Sequence, residues 1–170
     1  MVKFIRLFLA VASLVSASAE ATPQAPNVQI SNVSQLAQPL PYPYDEKADA
    51  ADVVKSAKAK AKREHKRLLI DLGGNWCPDC RVLAGVVERP EMKRFLDRHF
   101  VIVTVDIGRF NKNGDIAAHY GITKLQGVPA VLVVDPVKDC LLNQDRLFAL
   151  ADARTMTPQA LADWFAQWAA

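Results

Sequence analysis

The sequence predicts an α/β domain with a central mixed sheet and helices on both faces. Short aliphatic or β-branched runs at 67–72, 100–106 and 130–134 alternate with segments of helical period, the pattern of strands covered by helices. A helical crossover joins the first two runs, which sets those strands parallel. Half of the 170 residues are apolar (51%), enough to fill a core between sheet and helices.

Residues 1–19 read as a signal peptide. Lys3 and Arg6 form a short basic start, Leu7 to Val15 an apolar run, and Ala17-Ser18-Ala19 a small-x-small cleavage site. The alternative is an uncleaved membrane anchor. Residues 20–44 are rich in Pro, Gln, Asn and Ser and end Pro39-Leu40-Pro41-Tyr42-Pro43-Tyr44. Proline removes donors and fixes φ, so this stretch is expected to be a flexible tether without regular structure. The folded domain is expected over 45–170, with a helical extension at 45–66. There Ala50, Val54, Ala57 and Ala61 form one apolar stripe, and Asp45 is the expected cap.

The run Arg67 to Leu72 is a buried strand carrying one acid, Asp71, and Gly73-Gly74 is expected to break it. Pro78 suits the first position of a helix reaching Glu88, and Pro90 opens a second. Phe100 to Asp106 is the next strand. Asn111 to Gly114 is a turn; it fails as a calcium loop because Arg109 stands where the first acid is required. A short helix from Asp115 to Tyr120 leads to Gly127-Val128-Pro129 and a third strand, Ala130 to Val134. Arg146 to Leu150 is a candidate edge strand. Thr157-Pro158 opens a last helix whose stripe is Leu161, Trp164, Phe165 and Trp168, expected in the core. Cys140 is expected to be a buried apolar cysteine, and His99 and His119 surface or satisfied residues.

Charge points away from nucleic acid. The net charge is +3, and Lys3 and Arg6 supply two of the 21 basic residues against 18 acidic ones. No basic patch is interleaved with aromatics. Three cysteines are too few for a disulfide scaffold.

The chemistry concentrates at Trp76-Cys77-Pro78-Asp79-Cys80. Cys77 precedes a helix, whose N-terminal N–H groups and dipole lower a thiol's pKa. Its thiolate is suited to attack a disulfide sulfur and form a mixed disulfide. Cys80, one turn on, reaches the same sulfur and resolves that intermediate. A zinc site needs a second Cys/His pair, and Cys140, His65, His99 and His119 have no such spacing; a static disulfide is the other structural alternative. No metal is expected, and no cofactor beyond the redox-active Cys77–Cys80 disulfide.

This chain resembles the thioredoxin superfamily, in its exported thioredoxin-like branch. The resemblance spans about Lys66 to Ala170. It rests on the Trp76-to-Cys80 motif after a buried strand, Asp71 six residues before Cys77, and Val128-Pro129 before a strand, with Tyr120-Gly121-Ile122 ahead of it. It implies a thioredoxin-like fold and a buried Asp71 that takes the proton of Cys80, with a pKa raised by burial. It further implies a cis Pro129 presenting the backbone of Val128 to substrate, with Trp76 shaping the rim. Pro78 and Asp79 are then the tuning residues between the cysteines.

The chain departs from the family in two places. Thr104 stands where many thioredoxins carry a lysine, and the spacer is Pro-Asp instead of Gly-Pro. The Asp79 carboxylate is expected to oppose the Cys77 thiolate, which points to a reducing potential. The expected function is a periplasmic or secreted thiol–disulfide oxidoreductase, reducing disulfides of exported proteins and recharged by a membrane electron donor. The alternatives are a disulfide oxidase or isomerase, or a non-catalytic metal-handling or assembly module on the same scaffold.

Overall fold

A computed structural model describes residues 22–169; the expected signal peptide lies outside the described residues. The elements run α1 (Ala50–Glu64), β1 (Arg67–Gly73), α2 (Pro78–Val87), α3 (Pro90–His99), β2 (Phe100–Asp106), α4 (Gly114–His119), β3 (Ala130–Asp135), β4 (Cys140–Leu141) and α5 (Pro158–Gln167). The sheet order is β2-β1-β3-β4. β1 and β2 are parallel, as the helical crossover requires, and β3 is antiparallel to β1 and β4. This is a mixed sheet in a thioredoxin-like fold.

Side-chain alternation along the central strands divides the core in two. Leu69, Val131 and Val133 face α2, α3 and α5. Leu68, Ile70, Leu72, Ala130, Leu132 and Val134 face α1 and α4. The fully buried β1 and β3 therefore read as continuous apolar runs in sequence, broken only by Asp71. Trp164 lies in the core as expected, edge-on to Phe165.

Five expectations need correction. The first helix is capped by Asp49, whose side chain accepts the N–H of Asp52; Asp45 instead closes a small turn onto the N–H of Lys47. β1 continues through Gly73, because its register with Asp106 persists to that residue. Arg146 to Leu150 is not a strand. The edge strand is β4, two residues long, and beyond it the buried side chain of Asn143 takes the N–H of Val133 and donates to the carbonyl of Val131, each at 2.8 Å. An amide side chain thus occupies hydrogen-bonding sites that a longer strand would use. Cys140, expected to be buried, is instead exposed, because it lies on this short edge.

The fifth correction concerns residues 22–44. They do not leave the domain as a free tether. Val28, Leu36 and Tyr44 are buried, and Leu36 lies with α2, α3 and α5 in one apolar cluster. Gly85 on α2 permits this approach: a Cβ there would meet Leu36 Cδ1 at 3.2 Å and Leu40 Cδ2 at 3.3 Å. Arg81 secures the segment, donating to the carbonyls of Leu40 (2.7 Å) and Pro41 (3.1 Å) and lying 3.9 Å over the ring of Tyr42. The prolines prevent regular structure, but apolar side chains between them still find the core. Leu36→Ala is expected to destabilise the domain by about 2–5 kcal/mol in urea unfolding. An unchanged midpoint would mean that the segment contributes no packing.

Candidate active site

β1 delivers the chain to the site. After Gly73 the backbone turns, with the N–H of Cys77 on the carbonyl of Gly74 at 3.0 Å, and α2 starts at Pro78. Cys77 is the N-cap of α2, and its Sγ accepts the N–H of Cys80 at 3.2 Å. Both cysteines are free thiols and buried, Cys80 completely. Their environments push them apart. The Cys80 thiol, then the backbone N–H groups of Cys80 and Asp79, favour a Cys77 thiolate and bring its pKa down to about 7, against burial and the Asp79 carboxylate. Cys80 is pushed far above the ordinary thiol range by its hydrogen bond to Cys77, by burial and by the Asp71 charge. One sulfur is readily ionised and the other holds its proton.

The Val128–Pro129 bond is cis, and the carbonyl of Val128 lies 3.5 Å from Cys77 Sγ. Trp76 is part of the exposed rim. Its Nε1 donates to the carbonyl of Gly108 at 2.6 Å, Phe110 packs at 6.0 Å between ring centroids, and the Arg109 guanidinium lies 5.0 Å over the ring. The structure thus brings Trp76, Cys77, Pro78, Cys80, Val128 and Pro129 together.

Asp79 does not stand as an uncompensated charge. Arg154 donates to it through its backbone N–H (2.9 Å) and its Nε (3.0 Å). The Asp79 carboxylate opposes ionisation of Cys77, and the hydrogen bonds to Cys77 outweigh it. Arg154 was not legible as a site residue, because it lies 75 positions away in a short 3-10 helix, Ala153–Thr155, without a motif.

Asp71 sits in the middle of the sheet, paired with Thr104 on β2 and Val131 on β3. It is buried, and burial first, then the nearby Cys77 charge, carries its carboxyl up to about 7. The opposing influence is a hydrogen bond from the hydroxyl of Tyr44 to Asp71 Oδ1 at 3.1 Å. Sequence reading missed Tyr44 altogether, since it closes a proline-rich run that carries no motif. Its backbone is gripped by the side chain of Asn75, which accepts the Tyr44 N–H at 3.2 Å and donates to the Tyr44 carbonyl at 2.8 Å. Thr104, in the place of the family lysine, donates to the carbonyl of Pro43 at 2.8 Å. Behind these residues lies a cavity of about 80 Å³, lined by Pro43, Asp71, Thr104, Glu88, Leu83 and Phe165 among others.

Among the described residues no group of three or more His, Cys, Asp or Glu is placed to hold a metal ion. The arrangement can carry out dithiol chemistry: an ionisable sulfur near the surface, a protonated sulfur beneath it, and a buried carboxyl that titrates near neutrality.

Comparison with known proteins agrees with this geometry. The model of a family described as Thioredoxin-like matches residues 49–136. A crystal structure of a disulphide isomerase from Xylella fastidiosa Temecula1 is 38% identical, with a TM-score of 0.70, covering 75% of this chain and 97% of that one. The oxidised C-terminal domain of DsbD from Neisseria meningitidis is 21% identical, with a TM-score of 0.46, covering 71% and 93%. No curated protein sequence matches. The family match spans more than half of the chain and includes the dithiol motif, and so this chain belongs to the Thioredoxin-like family and is, in the general sense, a thiol–disulfide oxidoreductase.

Proposed function

We propose that the chain reduces disulfides of exported proteins, with Cys77 as nucleophile and Cys80 as resolving thiol. The observation that carries this reading is the opposite treatment of the two sulfurs by their surroundings. The Cys77 thiolate attacks a substrate disulfide; one substrate sulfur leaves as thiolate and the other is held on Cys77. Cys80 then attacks Cys77 Sγ, the Cys77–Cys80 disulfide forms, and the second substrate sulfur is released. Asp71 receives the proton that Cys80 gives up. Trp76 and the backbone of Val128 before Pro129 form the surface on which an extended substrate lies.

A nucleophilic thiol with a pKa near 7 supports reduction. Strongly oxidising dithiols of the thioredoxin fold have nucleophiles near pKa 3.5 and potentials of about −120 mV, whereas reducing ones lie near pKa 7 and about −270 mV. The apolar run and small-x-small site of residues 1–19 support export. In the periplasm no glutathione buffer recharges the dithiol, so a membrane electron donor is the expected source of electrons. Disulfide isomerisation is the second reading, favoured by the 38% identical isomerase structure. It uses the same Cys77 attack but returns the substrate thiol to the mixed disulfide.

Cys77→Ser is expected to abolish insulin reduction, and retained turnover would overturn the assignment. Cys80→Ser is expected to accumulate mixed disulfides, whose partners mass spectrometry identifies. Recovery of scrambled ribonuclease without net reduction would select the isomerase reading.

Alkylation of Cys77 by iodoacetamide should accelerate as pH rises through about 7 and then level off, because the thiolate is the reacting form. Asp79→Asn should move that midpoint to lower pH, since it removes an opposing charge. Arg154→Ala should move it to higher pH, since it leaves Asp79 without its partner. Midpoints that stay together in all three proteins would show that Asp79 does not tune Cys77.

A further inference from the structure

We propose that Tyr44 is a proton-relay residue of the dithiol, its hydroxyl passing the Cys80 proton to Asp71 during resolution of the mixed disulfide. The proposal rests on the oxidoreductase reading above and assigns a residue outside the thioredoxin-like motif positions. Three independent contacts place the hydroxyl. It donates to Asp71 Oδ1 at 3.1 Å. It also faces the same space as Cys80 Sγ: a Cβ added at Gly73 would collide with Tyr44 Oη and stand 2.8 Å from Cys80 Sγ, so hydroxyl and sulfur both border the room that glycine leaves open. Third, its backbone is fixed by Asn75, next to the dithiol motif, while the preceding carbonyl of Pro43 is held by Thr104.

Such a clamp exceeds what filling space requires. A phenylalanine would fill the same volume, but the hydroxyl is buried and satisfied by the buried Asp71 carboxylate. Burial, the Asp71 charge and the Cys80 sulfur hold the phenol far above its ordinary range, so it transfers a proton without ever standing as phenolate. As Cys80 Sγ attacks Cys77 Sγ, the Cys77–Cys80 bond forms and the bond from Cys77 to the substrate sulfur breaks. The substrate sulfur leaves with the electron pair as thiolate. The Cys80 proton moves to Tyr44 Oη while the Tyr44 proton moves to Asp71 Oδ1, leaving tyrosine neutral and Asp71 protonated. Over the two attacks the dithiol is oxidised by two electrons and the substrate disulfide reduced by two. The cavity lined by Asp71, Thr104 and Glu88 has room for water to take the proton onward. The titratable groups around Asp71 are Tyr44, Cys77 and Cys80, with Glu88 on the cavity wall.

The test uses the full chain with the exposed third thiol removed by Cys140→Ser, reduced, with 5,5′-dithiobis(2-nitrobenzoate) in stopped flow. The first coloured thiolate reports attack by Cys77 and the second reports resolution by Cys80. In Tyr44→Phe the first phase should stay within about twofold and the second slow by about tenfold or more, within the range of general acid–base effects. The pH midpoint of the second phase should also rise, because the variant loses a hydrogen bond that favours the Asp71 carboxylate. A second phase equal to wild type in rate and pH profile overturns the relay. If Tyr44→Phe loses its helical circular dichroism, ring-fluorinated tyrosine at position 44 replaces it. Its altered acidity should change the second phase alone, and an unchanged second phase overturns the proposal. A Cys140→Ser chain with Tyr44 intact that releases no second thiolate overturns the oxidoreductase reading and the relay with it.

Discussion

A carboxyl group in the middle of a sheet is expensive to bury, and Asp71 is the constraint on which much of this structure depends. Its neighbours on β2 and β3 are Thr104 and Val131, and neither donates to it. A buried acid needs a donor or must give up its charge. Here the donor comes from outside the α/β alternation, from Tyr44 at the end of the proline-rich segment. That one contact explains features otherwise unrelated in sequence. Gly73 has no side chain where the phenol passes, Asn75 grips the tyrosine backbone, Thr104 holds the residue before it, and Arg81 on the dithiol helix fastens Leu40 and Pro41.

The same economy governs the cysteines. Nothing distinguishes Cys77 from Cys80 as amino acids, and three residues separate them. Cys77 stands at the cap, where backbone N–H groups of the first helical turn point at its sulfur. Cys80 stands inside that turn, sealed from solvent and next to Tyr44 and Asp71. Helix geometry supplies the asymmetry, and Pro78 helps by starting the helix at the required residue.

Most of the fold was legible in the sequence, for a physical reason. Strands buried on both faces write themselves as unbroken runs, and the helices carried their start signals, as with Pro78, Pro90 and Thr157-Pro158. The dithiol, Asp71 and Val128-Pro129 were legible through spacing and resemblance. What failed to show was interaction between distant points of the chain. Tyr44 meets Asp71 across 27 positions and Arg154 meets Asp79 across 75; no local period encodes either. The proline-rich stretch misled because its composition reports the lack of regular structure, and packing against α2 requires none. Arg146 to Leu150 misled because its apolar residues, Leu147 and Leu150, are buried from a loop.

That loop has a consequence for how the molecule behaves in company. β3 is almost wholly apolar, and its partner β4 covers only Val134 and Asp135. A strand of this composition with free N–H and carbonyl groups is a template for another chain to pair with. Asn143 removes the template by spending its amide on Val131 and Val133, while the carbonyl of Leu147 takes the Val131 N–H. In a thiol–disulfide oxidoreductase, a sealed sheet edge separates the chemistry at the dithiol from indiscriminate strand addition beside it.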